Sequence, residues 1–372
     1  MTLCHSEPAQ RGEESPGARK DLASSKWILR MADVYFTGMQ LNTGKVKLTL
    51  PNLENIHWPD GFEDAAGIRV DRVKQLVAKW PSVDVHALDD LPHHFIDGIH
   101  FLHYRASSAS AFPLLLLHGW PGSFIEFLDV IPHLRERFHL VIPSLPGYGF
   151  SEKPREAGMS NARIAERMLA LMQQLGYARF GVQGGDWGAG IATWMAIKAP
   201  DRVAGIHLNY IPGSYAPPDG STSDFAQAWI AKSGAYGAVQ RTRPLTLAYG
   251  LSDSPVGLLA WIAEKFDEWS DPNALVRDET VLLNTTIYWS TNTIYSSMRL
   301  YLESVETPLT LRERVPVPAA IAHFAHEEPF PTRDWIERGY DVQRWTDFPR
   351  GGHFAALECP RELAEDVAAF FG

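Results

Sequence analysis

Short apolar runs alternate with amphipathic segments through the middle of the chain. Residues 112–119 read Phe-Pro-Leu-Leu-Leu-Leu-His-Gly, a continuous apolar run that is typical of a fully buried parallel strand. Runs at 140–143 and 180–183 predict two more strands, and the apolar spacing within 124–138 and 161–175 predicts two helices. Strands and helices in alternation with short connections predict an α/β fold with a mostly parallel sheet.

The chain before this alternation is irregular. Residues 68–80 carry apolar positions at helical spacing, and Pro81 ends the predicted helix. Residues 95–104 alternate polar and apolar positions around an Asp-Gly pair, which predicts a β-hairpin. The polar, mixed start of the chain predicts a disordered tail over 1–31, followed by an N-terminal arm over 32–105.

After residue 212 the rhythm of strands and helices stops. Residues 213–308 are rich in aromatic residues and helix-forming segments, whereas strands return at 319–324 and 342–345 before a final helix at 361–371. A helical insert inside a sheet domain is the layout of a core with a lid. The predicted parts are the first half of the core, the lid and the second half of the core, at 106–212, 213–308 and 309–372.

Composition narrows the function classes. The 372 residues carry a net charge of −10, which argues against a nucleic-acid surface or an anionic membrane as the main partner. The longest aliphatic run has four residues, so neither a membrane anchor nor a signal peptide is predicted. Two cysteines, Cys4 and Cys359, form no disulfide framework, and a cytoplasmic location is predicted. The 12 Trp, 18 Phe and 12 Tyr predict a large core or an apolar pocket.

The sharpest motif is Gly-Gly-Asp-Trp-Gly at residues 184–188, directly after a predicted strand and before a predicted helix. Small residues two before and two after a central side chain are typical of a nucleophile elbow. The usual nucleophile in such a turn is Ser, whereas here it is Asp186. On the motif alone, a glycine-rich loop with an exposed, helix-capping Asp is the competing interpretation.

Three other features of the sequence support the nucleophile elbow at Asp186. His353, between a Gly-Gly pair and the last helix, follows a nucleophile and an acid in the chain order of an α/β-hydrolase triad. The acid is expected just after a late strand, where Glu327 and Glu328 compete. The His118-Gly-Trp-Pro loop predicts an oxyanion site made by the backbone N–H groups of Trp120 and Trp187.

His118-Gly-Trp-Pro, Gly-Gly-Asp186-Trp-Gly and Arg-Gly-Gly-His353-Phe-Ala-Ala-Leu-Glu-Cys-Pro together resemble the α/β-hydrolase epoxide hydrolases. The resemblance is closest to the microsomal and juvenile-hormone type with their soluble bacterial relatives, and it runs from about Trp58 to the C-terminus. It implies an α/β-hydrolase core, an N-terminal arm that wraps this core and a helical lid inserted before the acid. Residues 38–52 depart from the arm of close relatives, which leaves any dimer contact, and a homo-oligomer, open.

The resemblance also implies the roles of individual residues. Glu327 corresponds to the relay acid, and Tyr236 and Tyr301 correspond to the two lid tyrosines that hydrogen-bond the epoxide oxygen. Without the resemblance both would be read as packed core tyrosines, and three others remain fallback candidates: Tyr249, Tyr288 and Tyr295.

The implied reaction turns an apolar epoxide into a vicinal diol. Asp186 attacks the ring to form an ester, and water activated by His353 hydrolyses that ester, so no metal or organic cofactor is required. A haloalkane dehalogenase with the same Asp and His chemistry is the first alternative, and a non-catalytic ligand-binding protein is the second. A metal site is not predicted from the histidine cluster, which has no carboxylate or cysteine at ligand spacing: His86, His93, His94, His100 and His103.

Overall fold

The computed structural model describes residues 42–44, 46–60 and 66–372. The predicted tail and the start of the predicted arm therefore lie outside the described residues. The described residues all belong to one structural unit.

A single sheet organises the described residues. Its nine strands are β1 (Asn42–Thr43), β2 (His93–Ile96), β3 (Ile99–Tyr104), β4 (Phe112–Leu117), β5 (Phe138–Pro143), β6 (Phe180–Gly184), β7 (Val203–Leu208), β8 (Pro318–Phe324) and β9 (Asp341–Phe348). They lie side by side in the order β1-β2-β3-β5-β4-β6-β7-β8-β9. The first three neighbouring pairs, β1–β2, β2–β3 and β3–β5, are antiparallel. The other five pairs, from β5–β4 to β8–β9, are parallel. The predicted α/β fold with a mostly parallel sheet is confirmed.

Helices join and cover the strands. Those of the arm and the core are α1 (Val70–Lys79), α2 (Ile131–Leu134), α3 (Asn161–Gln174), α4 (Asp186–Lys198), α11 (Arg333–Glu337), α12 (Ala355–Glu358) and α13 (Pro360–Phe371). Six more follow β7 and precede β8: α5 (Gln227–Ser233), α6 (Ala235–Thr242), α7 (Pro244–Asp253), α8 (Pro255–Trp269), α9 (Asp278–Thr291) and α10 (Ile294–Glu303). This insert corresponds to the segment that the sequence predicts as a lid.

Strand β4 shows why a strand in the middle of the sheet is apolar at every position. Leu115 and Leu117 pack in one buried cluster with Met168 of α3, whereas Leu114 and Leu116 pack in a second cluster with helix α13. Successive side chains of a strand point to opposite faces, so a strand covered by helices on both faces needs apolar residues throughout.

The arm follows its predicted elements where it is described. Helix α1 and the hairpin β2–β3 lie where the pattern predicts them, and both turn residues of the hairpin, Asp97 and Gly98, have positive φ angles. Arg72 of α1 pairs with Asp267 of α8 at 2.9 Å and with Asp278 of α9 at 2.7 Å. The arm therefore contacts the helical insert as well as the sheet.

The core differs from its predicted elements at two places. Residues 124–138 do not form one helix, but a 3-10 turn at Phe124–Phe127 and the short helix α2. Pro132 lies in the first turn of α2, where its fixed φ and missing N–H are tolerated, whereas a longer helix through it is not. Strand β7 was not predicted, because its apolar run includes Gly205 and His207.

Candidate active site

Asp186 stands at the sharp turn between β6 and α4, with a left-handed backbone at φ +45°. A Cβ on Gly184 would lie 2.4 Å from the backbone of Gly188. A Cβ on Gly188 would lie 2.2 Å from the carbonyl oxygen of Leu117. A side chain at either glycine would prevent the turn from closing, so the glycines allow the strained Asp186 backbone. The predicted elbow geometry is present.

The loop after β4 reaches the Asp186 carboxyl. The Trp120 backbone N–H donates a hydrogen bond of 2.7 Å to Asp186 Oδ1. A Cβ on Gly119 would lie 2.1 Å from the same oxygen, so only glycine leaves room for the carboxyl there. His118 supports the loop, because its Nε2 accepts a hydrogen bond of 3.1 Å from the Leu145 N–H.

His353 lies between two carboxyl groups. Its Nδ1 is 2.9 Å from Oε2 and 3.2 Å from Oε1 of Glu327, and its Nε2 is 3.5 Å from Asp186 Oδ2. Glu327 is only 2% exposed, whereas its neighbour Glu328 is exposed. The structure thus brings Asp186, His353 and Glu327 together, and of the two competing acids it places Glu327 on the imidazole.

These charges change the protonation of His353. Burial by itself lowers the pKa of the imidazole, but the carboxylates of Glu327 and Asp186 outweigh burial and hold the pKa well above its ordinary value. The imidazolium form is therefore favoured as long as both carboxylates are charged.

A further carboxylate holds the His353 loop, and the sequence analysis assigned it no role. Glu358 Oε2 accepts hydrogen bonds from the Gly352 N–H at 2.9 Å and the Asp271 N–H at 2.6 Å, and its Oε1 accepts one from the Phe354 N–H at 2.9 Å. The only signal in the sequence was an acidic residue within the otherwise apolar stretch 354–359. Glu358 fixes the backbone on both sides of the histidine and joins this loop to the end of α8.

The two lid tyrosines come from different helices of the insert. Tyr236 of α6 stacks on Trp120 with ring centroids 5.5 Å apart, and Tyr301 of α10 packs edge-on against Trp187 at 4.8 Å. The two tyrosine rings are 6.0 Å apart. Burial raises the pKa of both phenols, further helped by the charge of Asp186, so both remain neutral hydrogen-bond donors at neutral pH.

The fallback tyrosines lie elsewhere. Tyr249 is 73% exposed, and the buried Tyr288 donates its hydroxyl to the Gly122 carbonyl oxygen at 2.9 Å. Tyr295 packs against Arg299. None of the three lines the cavity that Tyr236 and Tyr301 line.

A cavity of about 440 Å³ lies between the insert and the carboxyl ends of the strands. Asp186, His353, Tyr236 and Tyr301 all line it. Much of the remaining wall is apolar or aromatic: Trp187, Tyr210, Pro212, Phe225, Trp229, Ile230, Trp269 and Val305. Two of the four tryptophans in the insert therefore face this cavity, which accounts for part of the tryptophan content.

The two predicted oxyanion donors, the backbone N–H groups of Trp120 and Trp187, differ from each other in their surroundings. Trp120 donates to Asp186 as described, whereas Trp187 is the second residue of α4. Backbone N–H groups in the first turn of a helix have no partner within the helix, so the Trp187 N–H is free of helical hydrogen bonding. Its use as the second donor stays a prediction.

The histidine cluster forms hydrogen bonds of its own. His93 Nδ1 is 2.8 Å from His100 Nε2, and His100 Nδ1 is 2.9 Å from Ser144 Oγ. Burial lowers the pKa of both imidazoles, so they stay neutral. Within the described ranges, no group of three or more potential ligands is arranged to hold a metal ion. Across the same ranges, every helix is too short or too polar to span a membrane.

Similarity to known proteins agrees with this geometry. Residues 35–127 match the epoxide hydrolase N terminus family, and residues 113–266 match the alpha/beta hydrolase fold family. The chain is 33% identical to juvenile hormone epoxide hydrolase 1 of Ctenocephalides felis, over 93% of this chain and 85% of that protein. It is 31% identical to epoxide hydrolase 1 of Oryctolagus cuniculus, over 98% of this chain and 93% of that protein.

A solved structure extends the likeness to three dimensions. The epoxide hydrolase of Aspergillus niger superposes with a TM-score of 0.76 at 30% identity, over 89% of this chain and 96% of that chain. Identities of 30% and more over most of both chains, joined to the same fold, show that this chain belongs to the epoxide hydrolase family of the α/β-hydrolase fold.

Proposed function

We propose that this enzyme converts an apolar epoxide to a vicinal diol in two steps, through a covalent ester on Asp186. The observation that supports this most is that one cavity carries a carboxylate, an imidazole and two phenols on its wall, from Asp186, His353, Tyr236 and Tyr301. These are the groups that ring opening and ester hydrolysis need, and each has its own task.

The first step is attack of Asp186 Oδ2 on an epoxide carbon. A carboxylate needs no base to activate it at neutral pH, and the Trp120 N–H holds the other oxygen, Oδ1. The carbon–oxygen bond of the ring breaks, and the leaving oxygen takes a proton from Tyr236 or Tyr301. Neutral phenols suit this task because they donate without adding a charge to the apolar cavity.

The second step is hydrolysis of the ester. His353 Nε2 takes a proton from water, and the oxygen of that water bonds to Cγ of Asp186. The negative charge that develops on Oδ1 faces the Trp120 N–H, and the loss of one such donor typically costs about 3 kcal/mol of barrier. Glu327 holds the imidazole through Nδ1 and stabilises the imidazolium that forms.

The first step prepares His353 for the second. In the free enzyme the carboxylate of Asp186 is one of the two groups that raise the pKa of His353. Ester formation removes that negative charge, so the pKa of the imidazole falls. The fall shifts the imidazole toward the neutral form at the stage where a neutral base is required.

The substrate class follows from the cavity. A volume of about 440 Å³ with a largely apolar and aromatic wall favours a bulky, apolar epoxide. The cytoplasmic location and a homo-oligomeric state stay predictions from the sequence.

A single turnover in oxygen-18 water tests the covalent step. The first diol released by excess enzyme should be unlabelled, because its new oxygen comes from Asp186, and mass spectrometry of the diol measures this. A labelled first diol would show direct attack by water and would remove Asp186 as nucleophile.

Two substrates separate the alternatives. Styrene oxide should yield diol, whereas a bromoalkane of similar size should release little bromide. Bromide release without diol would favour the dehalogenase alternative, and tight binding of both compounds without either product would favour the ligand-binding alternative.

A further inference from the structure

A second, smaller cavity lies on the core side of Asp186. Its volume is about 20 Å³, enough for one water molecule. Asp186 and His353 are the two residues that line both this cavity and the large one. The small cavity therefore meets the substrate side at the nucleophile and at the base, which are the two groups that hydrolysis requires.

One wall of the small cavity carries a carboxyl group that the two proposed steps do not use. Glu126 lies in the 3-10 turn after the Trp120 loop and lines the cavity. A Cβ on Gly122 would lie 1.4 Å from Glu126 Oε1, so the missing side chain at Gly122 makes room for this carboxyl. Gly119 makes room in the same way for the carboxyl of Asp186.

The charge state of Glu126 depends on the same site. Burial raises the pKa of its carboxyl to about 8, with His353 opposing and Asp186 reinforcing this change. A carboxyl with such a pKa is mostly protonated at neutral pH, and it can donate a hydrogen bond from its O–H.

The other wall carries an amide oxygen with unused hydrogen-bonding capacity. Gln183 of β6 is 1% exposed and lines the cavity, and its Nε2 donates to Asn209 Oδ1 at 2.8 Å. In the part of the chain that the structure describes, Gln183 Oε1 has no hydrogen-bond partner. Buried acceptors are almost always satisfied by protein or by water, and here the oxygen belongs to a residue on a water-sized cavity.

We propose that the small cavity is the site of the hydrolytic water, and that Glu126 and Gln183 are its positioning residues. This inference rests on the proposed two-step function. One O–H of the water points to His353 Nε2 and the other to Gln183 Oε1. The Glu126 carboxyl donates to one lone pair of the water oxygen, and the remaining lone pair attacks Cγ of Asp186.

Hydrolysis exchanges one bond of the Asp186 Cγ atom to oxygen for another. The water oxygen bonds to Asp186 Cγ, and its proton moves to His353 Nε2. The ester bond between Cγ and the diol oxygen then breaks, and the diol oxygen takes the proton from the imidazolium. The second proton of the water stays on the released Asp186 carboxyl and then returns to the phenolate that ring opening left at Tyr236 or Tyr301. Asp186 is then a carboxylate again, and Glu126 and Gln183 end the cycle unchanged.

The test separates the two steps. Rapid mixing with styrene oxide, followed by acid quench and mass spectrometry of the protein, gives the rates at which the covalent ester forms and decays. For Glu126→Leu, ester decay should slow by about 10-fold to 100-fold, because a misplaced reactant costs that much, and ester formation should change less than about 3-fold. Ester should therefore accumulate in this variant.

Conservative variants exclude a merely structural effect. Glu126→Gln keeps a neutral donor of the same size, so its ester decay should stay within about 3-fold of the wild-type rate. Gln183→Met removes the acceptor, and also the Nε2 donor to Asn209, with little change in volume. It should slow ester decay as Glu126→Leu does, with ester formation within about 3-fold of the wild-type rate. Glu136→Gln, at an exposed carboxylate ten residues further along the chain, is the control and should change neither rate.

The outcomes are decisive in both directions. Ester decay at the wild-type rate in Glu126→Leu and Gln183→Met would overturn the inference, as would an equal loss in both steps. A Glu126→Gln variant as slow as Glu126→Leu would overturn the neutral-donor role. A wild-type enzyme that forms no ester would instead contradict the proposed function itself, so the two failures are distinguishable.

Discussion

The sheet core and the helical insert supply the same cavity in different ways. The core contributes Asp186, Glu327 and His353, each within five residues of the end of β6, β8 or β9, and Trp120 holds Asp186 from the end of β4. The insert contributes Tyr236 from the first turn of α6 and Tyr301 from the last turn of α10, two helices that pack against each other. Core groups are thus held by loops on a rigid sheet, whereas insert groups depend on helix packing.

Because of this difference, we expect the core and the insert to act in different parts of the reaction. In the proposed mechanism the groups on the core form and hydrolyse the ester, whereas the groups on the insert assist the leaving oxygen and shape the substrate side. The insert is tied to the core at the Trp120 loop, since Asn284 donates to the Pro121 carbonyl oxygen at 2.8 Å and Tyr288 donates to that of Gly122 at 2.9 Å. Substitutions in the two regions should therefore affect different steps.

The largest effect is expected for Asp186→Asn in the core. Asn tolerates the left-handed backbone at this position, so the fold should be kept while the nucleophile is lost. Diol formation should fall on the order of 10⁴-fold or more, as measured by steady-state kinetics. An unchanged melting temperature is the control, and diol formation near the wild-type rate would contradict the role of Asp186.

The next largest effect is expected in the insert. Tyr236→Phe and Tyr301→Phe should each slow ester formation by about 10²-fold, because a proton donor to the leaving oxygen is lost. Ester decay, measured in the same single-turnover experiment, should change little. If decay slowed as much as formation did, the division between core and insert would fail.

A smaller effect concerns the stability of the antiparallel edge of the sheet. Burial lowers the pKa of His103 to about 4, so the unfolded state binds more protons than the folded state between pH 4 and 6.5. Stability contributed by this neutral imidazole is present above pH 6.5 and is lost as the pH falls toward 4. From pH 7.5 to 5.5, the wild type should lose about 1 kcal/mol more unfolding free energy than His103→Gln.

Urea unfolding of both proteins at the two pH values measures this difference. A parallel loss in wild type and variant would show that His103 is not the group responsible.

The smallest effect is expected for Glu328→Gln. This carboxylate is exposed and lies next to the buried Glu327, which alone of the two contacts His353. Diol formation should stay within about 2-fold of wild type, whereas the matched Glu327→Gln should lower it by about 10²-fold or more. Equal losses in the two variants, measured as kcat, would contradict the assignment of Glu327.

Some elements of the fold could be predicted from the sequence, and others could not. The elbow at Asp186 and the loop at Trp120 could be predicted, since each is a short glycine-containing motif that directly follows an apolar run. The long helix predicted over 124–138 is wrong because local spacing could not weigh the proline of α2 against the apolar pattern. Strand β7 was missed because a glycine and a histidine interrupt its apolar run.

Sequence by itself determined the α/β class, the alternation of strands and helices apart from β7 and residues 124–138, and the candidate groups Asp186, His353 and the Glu327–Glu328 pair. These follow from periodicity and from short motifs, which act through neighbouring residues. Tertiary structure alone decided that Glu327 contacts the imidazole, that Glu358 holds its loop, and that Tyr236 and Tyr301 face the cavity. The positions of Glu327 and of the two tyrosines depend on contacts between segments far apart in the chain, and Glu358 also binds the distant Asp271, so no local pattern encodes these roles in full.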